Sequence, residues 1–89
     1  MSIQDQTSIP SVKALGKVIR AVRVAAGLTQ ADAAALCGVS APFLNNLERG
    51  KETARIGLVL VVCQGLGIDL VARLPQPIDL AKAGTRVRR

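Results

Sequence analysis

The segment from Thr29 to Gly50 constrains the fold of this chain most, because it encodes two short helices joined by a very tight turn. The first helix is predicted to begin after Thr29, whose hydroxyl can cap it, and Asp32 completes a capping-box pattern. It ends at Gly38, since glycine readily takes the left-handed conformation beyond a helix. Ser40 then caps the second helix. Two helices separated by so few residues cannot stack in line and must cross steeply.

The steep crossing leaves one side of the second helix exposed, and this helix is predicted to run from Ala41 to about Arg49. Leu44 and Leu47 are assigned to its inward side, and Pro42 lies in the first turn, where a missing N–H has no cost. A helix presented in this way fits the major groove of B-DNA. The arrangement favours DNA binding, and a plain helical hairpin in a small bundle is the alternative.

Two further helices flank this pair. One is predicted from Ser11, its cap, to about Ala26, and the other over about Ala54–Gly65, with Thr53 as its cap. Their inner stripes are apolar residues at helical spacing: Leu15, Ile19 and Val22 in the earlier helix, and Leu58, Val62 and Leu66 in the later one. The chain is therefore predicted to be mainly α.

After the fourth helix the hydrophobic pattern changes to strand-like alternation, which stops at Pro75. The apolar face of this predicted strand consists of Ile68, Leu70, Ala72 and Leu74. A single strand cannot satisfy its own backbone hydrogen bonds. Its simplest partner is the same strand of a second copy, paired antiparallel about a two-fold axis. A fifth helix over these residues is the alternative.

Basic residues dominate the charge of the chain, which has a formal net charge of +6 over 89 residues. This excess favours a polyanionic partner such as nucleic acid or an anionic membrane surface, and a merely soluble basic protein is the alternative. Four cations lie on the first predicted helix and four in the last eight residues: Lys13, Lys17, Arg20 and Arg23, then Lys82, Arg86, Arg88 and Arg89. We expect a flexible arm over 1–10, a DNA-binding and dimerisation domain over 11–74, and a basic, disordered tail over 75–89. The tail cations are either solvated or in contact with DNA or a protein.

The composition favours neither an enzyme nor a metal site, because the chain has no histidine and no tyrosine, and its six carboxylates are scattered. Cys37 and Cys63 lack metal-ligand spacing and are expected to be buried, inert thiols in a reducing compartment. The longest apolar run, Leu58–Cys63, is far too short to span a membrane, and the N-terminus lacks the features of a signal peptide. We therefore expect a cytoplasmic protein with no catalytic residues, no cofactor and no membrane contact.

A set of spaced residues around the tight turn forms a family pattern: Leu28-Thr29-Gln30, Ala34, Gly38-Val39-Ser40, Leu44 and Leu47-Glu48-Arg49-Gly50. This pattern resembles the Xre/Cro/C1-type helix-turn-helix family, over about Leu15 to Leu70. The resemblance implies a compact, lambda-repressor-like helix-turn-helix bundle of four to five helices. In that family the third helix reads DNA, and the protein usually acts as a dimer.

The resemblance also implies roles for individual residues. Thr29 matches a phosphate-contacting cap, Gln30 a position that contacts the DNA backbone and supports the reading helix, and Lys51 a further phosphate contact. Arg23 and Glu48 match a structural salt bridge between the first and third helices. The positions that face or approach the bases are Ser40, Ala41, Pro42, Phe43, Asn45 and Asn46.

The chain departs from the family pattern at the start of the reading helix. Ala41 and Pro42 stand where many relatives carry hydrogen-bonding side chains, and they can offer only apolar contact to thymine methyls. Direct readout is then expected from Ser40, Asn45 and Asn46, with a large share of binding from phosphate contacts and DNA shape. Phe43 is expected on the exposed side, where contact with DNA and contact with a protein are equally open.

The size, the helical architecture and the predicted strand resemble the HipB-type antitoxin branch of the family, in which a short C-terminal strand forms a two-stranded lid across the dimer. Those relatives repress their own operon and bind a HipA-type kinase toxin. The resemblance implies a homodimeric transcriptional repressor that binds a palindromic operator in double-stranded DNA and a HipA-like toxin. The alternatives are a phage-type or general regulator without a toxin, and an interaction module that inhibits a partner enzyme.

Overall fold

Helices form all the regular secondary structure that the computed structural model describes, which comprises residue 3 and residues 5–83. The five helices are α1 (Val12–Ala25), α2 (Gln30–Cys37), α3 (Ala41–Glu48), α4 (Ile56–Gly65) and α5 (Leu80–Ala83). The predicted mainly α, helix-turn-helix fold is confirmed. Arg86, Arg88 and Arg89, singled out by their charge, lie outside the described residues. No helix among the described residues is long and apolar enough to cross a membrane.

Side-chain caps fix the start of each of the first three helices. The Ser11 Oγ accepts a hydrogen bond from the Ala14 N–H at 3.0 Å. In α2 the Thr29 Oγ1 accepts from the Asp32 N–H at 3.0 Å, and the reciprocal half of the capping box is present as well. The Ser40 Oγ caps α3 in the same way. All three caps were predicted from the residue type and its spacing before an apolar run.

The hydrophobic core lies where α1, α2, α3 and α4 meet. It contains ten buried residues: Leu15, Ile19, Ala33, Ala34, Cys37, Leu44, Leu47, Val59, Val62 and Cys63. Gly16 lets α1 approach α3 closely, because a Cβ there would lie only 2.5 Å from the Leu47 carbonyl oxygen. Both cysteines are free and buried, as predicted, and burial raises the pKa of both thiols.

The start and the inner face of α4 differ from the prediction. The helix begins at Ile56 rather than Ala54, and its N-cap is Arg55, without any side-chain cap hydrogen bond. Thr53 is therefore not the cap. The fully inward side chains are Val59, Val62 and Cys63, whereas Leu58 and Leu66 are only half-buried. Since α4 is apolar almost throughout, its sequence carries no periodic signal that separates the inner face from the outer one.

The segment over 68–79 belongs to no helix and no strand, although its alternating pattern predicts a strand. Ile68 packs against the core, while Leu70, Ala72 and Leu74 are exposed. A strand that pairs only across a two-fold axis has no partner within one chain, so this pairing stays a prediction. Within the predicted tail the structure describes a short helix, α5, which follows Asp79, and the Asp79 carboxylate accepts from the Ala81 and Lys82 N–H groups.

Candidate nucleic-acid interface

One side of α3 is exposed along its whole length. Leu44 and Leu47 are buried on the opposite side. Pro42, Asn46 and Arg49 follow one another at i, i+4 and i+7, so they share the outward stripe, and all three are exposed. We call these three residues the reading face. The Asn46 side chain forms no hydrogen bond with any residue that the structure describes.

A buried ion pair holds α3 against α1. The Arg23 Nε donates to the Glu48 Oε2 at 2.6 Å, and the second guanidinium nitrogen donates to Oε1 at 2.9 Å. The Arg23 and Glu48 side chains are only 10% and 2% exposed. A third guanidinium hydrogen bond reaches the Leu28 carbonyl oxygen at 2.8 Å and ties down the loop before α2. The fork therefore joins three parts of the chain behind the exposed face of α3.

The ion pair also determines the charge of its acid. Burial alone would raise the pKa of Glu48, but hydrogen bonds from Arg23 and Gln30, with the positive charges of Arg23 and Arg20, outweigh it and lower that pKa. Glu48 is therefore a carboxylate at neutral pH. A charged and fully bonded pair can fix the orientation of α3, because removal of either partner would leave the other as an unpaired buried charge and lower the stability strongly.

Gln30 extends this network to the surface. Its Nε2 donates to the Glu48 Oε1 at 3.0 Å and to the Asn45 Oδ1 at 3.3 Å. Gln30 and Asn45 are both half-buried. Asn45 is thus occupied in positioning α3 against α2, which leaves Asn46 as the exposed amide on the helix.

The remaining predicted contact residues fall into two groups. Thr29, Ser40, Ala41 and Lys51 are exposed near the starts of α2 and α3 and beyond the Gly50 turn. Phe43, expected on the exposed side, is half-buried and packs against the core. The reason is its position, one residue before Leu44 and four before Leu47, which places it at the edge of the inward stripe.

A shallow depression of about 200 Å³ lies between α3 and the start of α4. It is lined by Phe43, Asn46, Lys51, Thr53, Ala54 and Arg55. The sequence prediction missed Arg55, because it placed that residue inside a helix that in fact begins after it. It also missed Arg49, although the spacing from Pro42 and Asn46 could have found it. Arg49, Lys51 and Arg55 are exposed and surround the outer end of α3 with positive charge.

Comparisons with known proteins agree with this geometry. A family model of a helix-turn-helix domain matches residues 14–75. The chain is 45% identical over 60 residues to an HTH-type transcriptional regulator, y4mF, of Sinorhizobium fredii, and the match covers 65% of this chain and 79% of that relative. These matches confirm the helix-turn-helix assignment.

Solved structures share the fold. A chain of a HipB complex with an O4 20-mer matches with a TM-score of 0.72 and 20% identity, over 80% of this chain and 100% of that one. A chain of a HipA–HipB–O2–O3 complex matches with the same TM-score of 0.72, identity of 20% and coverage of 80% and 100%. The likeness to HipB that the sequence predicts is confirmed for the fold.

Proposed function

The chain belongs to the helix-turn-helix domain family of transcriptional regulators, and on this basis we propose that it is a homodimeric repressor whose α3 reads a palindromic operator. One observation carries this proposal. The reading face is exposed along α3, while the groups that orient the helix, Arg23, Glu48 and Gln30, are bonded to one another behind it. Pre-positioning of this kind is what a helix needs if it is to enter the major groove in one orientation.

Each part of the surface has a distinct role in this proposal. Asn46 reads an adenine through its free amide, and Pro42 with Ala41 offers apolar contact to a thymine methyl. Thr29 and Lys51, on either side of α3, contact phosphates, and Arg55 extends that contact into the depression beside Lys51. Asn45 and Gln30 position the helix, and any contact with DNA is an addition to that role.

The dimer is proposed from apolar side chains that a single chain leaves exposed. On α4, Ile56 is 68% and Leu60 is 48% exposed, and Leu70 and Leu74 follow at 43% and 40%. A chain of this size has little core with which to offset so much exposed apolar surface. A second copy that covers α4 and pairs the segment over 68–74 about a two-fold axis buries these side chains.

We further propose that the repressor is the antitoxin of a HipA-type kinase and represses its own operon. The support is the shared fold with HipB chains, one of them in a complex that contains HipA. Co-expression with a HipA-type kinase encoded beside this gene tests the proposal directly. The pair is expected to co-purify and the antitoxin to relieve growth arrest, whereas a kinase that elutes alone and stays toxic contradicts it.

DNA reading is tested with Asn46→Ala, measured by fluorescence anisotropy on a duplex from upstream of the gene and on its single base-pair variants. One position is expected to lose discrimination by about 1–3 kcal/mol, as for the loss of a bidentate amide–adenine contact. Gln76→Ala removes an exposed amide outside α3 and outside the proposed dimer surface, and it serves as the matched control. An Asn46→Ala variant that keeps the full operator preference contradicts the proposed readout.

A further inference from the structure

The outer side of α1 carries cations that the helix-turn-helix segment does not use. Lys13, Lys17 and Arg20 stand at i, i+4 and i+7, so they form one stripe along the helix, and all three are exposed. We call them the α1 cation stripe. Arg23, the fourth cation of α1, points inward to Glu48 and does not belong to it.

No residue that the structure describes forms a salt bridge with the α1 cation stripe, although the positive charge of Arg20 contributes to the lowered pKa of Glu48. The chain contains no acidic residue between Asp5 and Asp32, so α1 has no anion of its own. Among the cations of α1, Arg23 is the one that forms a salt bridge with a described residue, and its partner is Glu48. An unpaired row of cations is often merely a solvated face, and its position relative to the DNA-reading surface decides whether it is more than that.

The α1 cation stripe adjoins α3 at both of its ends. At one end, Lys13 lies against the turn after α3, because a Cβ on Gly50 would be 2.9 Å from the Lys13 Cα. Lys51 follows directly in that turn. At the other end, Arg20 lies one helical turn before Arg23, whose side chain forms the ion pair with Glu48 at the end of α3. The stripe therefore runs beside the reading helix rather than on the far side of the molecule.

The length of the stripe fits one strand of duplex DNA. From Lys13 to Arg20 a helix rises by about 10 Å, at about 1.5 Å per residue. One strand of B-DNA presents a phosphate about every 3.4 Å along the axis, so the stripe can face about three of them. An acidic protein segment would need no such regular array beside α3, and the observations thus favour a duplex.

We propose that Lys13, Lys17 and Arg20 contact phosphates of the duplex that flanks the site read by α3, and so extend the DNA footprint onto α1. This inference rests on the proposed function, because it requires α3 to be seated on the same duplex. The flanking contacts carry no base information, and they add affinity and salt dependence rather than operator preference.

The test compares salt dependence for the wild type and for Lys13→Ala/Lys17→Ala, on a long duplex and on one trimmed to the site read by α3. Each lost phosphate contact lowers the slope of log Kobs against log salt by about 0.9, so the double variant is expected to lose about 2 units on the long duplex. Arg20→Ala is expected to lose about 1 more. On the trimmed duplex the wild type and the double variant are expected to bind alike.

The matched control is Arg73→Ala, which removes one exposed cation from the region after α4, is compared with Lys17→Ala and is expected to keep the wild-type slope. Alanine at exposed positions of α1 favours the helix, and circular dichroism checks that the fold is kept. If the double variant of α1 keeps the wild-type salt slope, or if Arg73→Ala loses as much slope as Lys17→Ala, this inference is overturned and the proposed function is not. A wild type that binds neither duplex at low salt overturns the proposed function together with it.

Discussion

The region up to the end of α3 and the region from α4 onward differ in how many of their side chains find partners within one chain. Up to α3, each helix has a side-chain cap, and the buried charges are paired with one another. In the later region the start of α4 lacks a side-chain cap, and Ile56, Leu60 and Leu74 leave apolar surface in water. The first region thus pairs its buried charges within one chain, with Val24 and Leu36 as the exposed large apolar side chains of its helices, whereas the second has a larger apolar surface for a second copy to cover.

The largest effect is expected from removing the ion pair that stabilises the region up to α3. Glu48→Ala leaves Arg23 buried without its acid, which is expected to lower the free energy of unfolding by about 3–5 kcal/mol. Urea unfolding followed by circular dichroism measures the change. Glu52→Ala removes an exposed carboxylate and is expected to cost less than about 0.5 kcal/mol. Equal losses in the two variants would contradict a structural role for the ion pair.

The same carboxylate predicts how stability varies with pH. The pKa of Glu48 is lower in the folded chain than in the unfolded one, where it is about 4.3. The unfolded state therefore takes up the proton first as the pH falls, and the stabilisation present above about pH 4.3 is lost towards the folded pKa. The free energy of unfolding of Glu48→Gln, measured by urea unfolding at a series of pH values, is therefore expected to fall less steeply below about pH 4.3 than that of the wild type.

The second prediction breaks the region that needs a second copy. Leu60→Asp places a charge on the exposed apolar surface of α4, and Leu70→Pro removes a backbone donor from the predicted strand. Each is expected to raise the dimer dissociation constant about 100-fold, since about 2.7 kcal/mol is a fair value for one central apolar contact. Sedimentation equilibrium is the measurement, and the helical content is expected to stay unchanged. Fully dimeric variants would contradict the proposed interface.

Two helical glycines, one in each region, are expected to respond to alanine in opposite ways. Gly16→Ala would drive a Cβ into the Leu47 and Glu48 carbonyl oxygens, at 2.5 and 2.7 Å, and is expected to cost about 1–3 kcal/mol. Gly57→Ala, on α4, meets nothing within 4 Å and is expected to stabilise its helix by as much as about 1 kcal/mol. Thermal unfolding of both variants shows whether the two changes have opposite signs.

The smallest effects concern the caps. Ser40→Ala removes the hydroxyl that accepts from the Phe43 N–H and is expected to cost about 1 kcal/mol. Thr53 was predicted to cap α4, but it lies three residues before that helix and is not the cap. Thr53→Ala is therefore expected to change stability by less than about 0.5 kcal/mol. A larger loss for Thr53→Ala than for Ser40→Ala would reverse the assignment.

The same division explains what could be predicted from the sequence. Caps such as Ser11, Thr29 and Ser40 were predictable because a hydroxyl at fixed spacing before an apolar run satisfies a local N–H. The face of α4 was not predictable, because almost every residue in it is apolar. The alternation over 68–74 indicates a strand only if a second chain supplies the hydrogen bonds. The burial of Phe43 was not predictable either, because it depends on how far the core extends around α3.

The candidate site was predictable in the same uneven way. The family resemblance gave Gln30, Asn45 and Asn46, but not the division of labour in which Gln30 holds Asn45 and leaves Asn46 free. That division comes from a contact between α2 and α3 that no local pattern encodes. Arg55 was missed because its exposure follows from where α4 begins.

The proposed repressor has two parts: a reading face on α3 that each chain forms by itself, and a surface from α4 onward that joins two chains into a dimer. Changing the spacing between the two operator half-sites tests both parts at once. A two-fold dimer reads half-sites about one helical turn apart, roughly 34 Å, and about 5 extra base pairs put the second site on the opposite face of the duplex. The insertion is expected to lower the affinity to that of a single half-site. An affinity that the insertion leaves unchanged would contradict the claim.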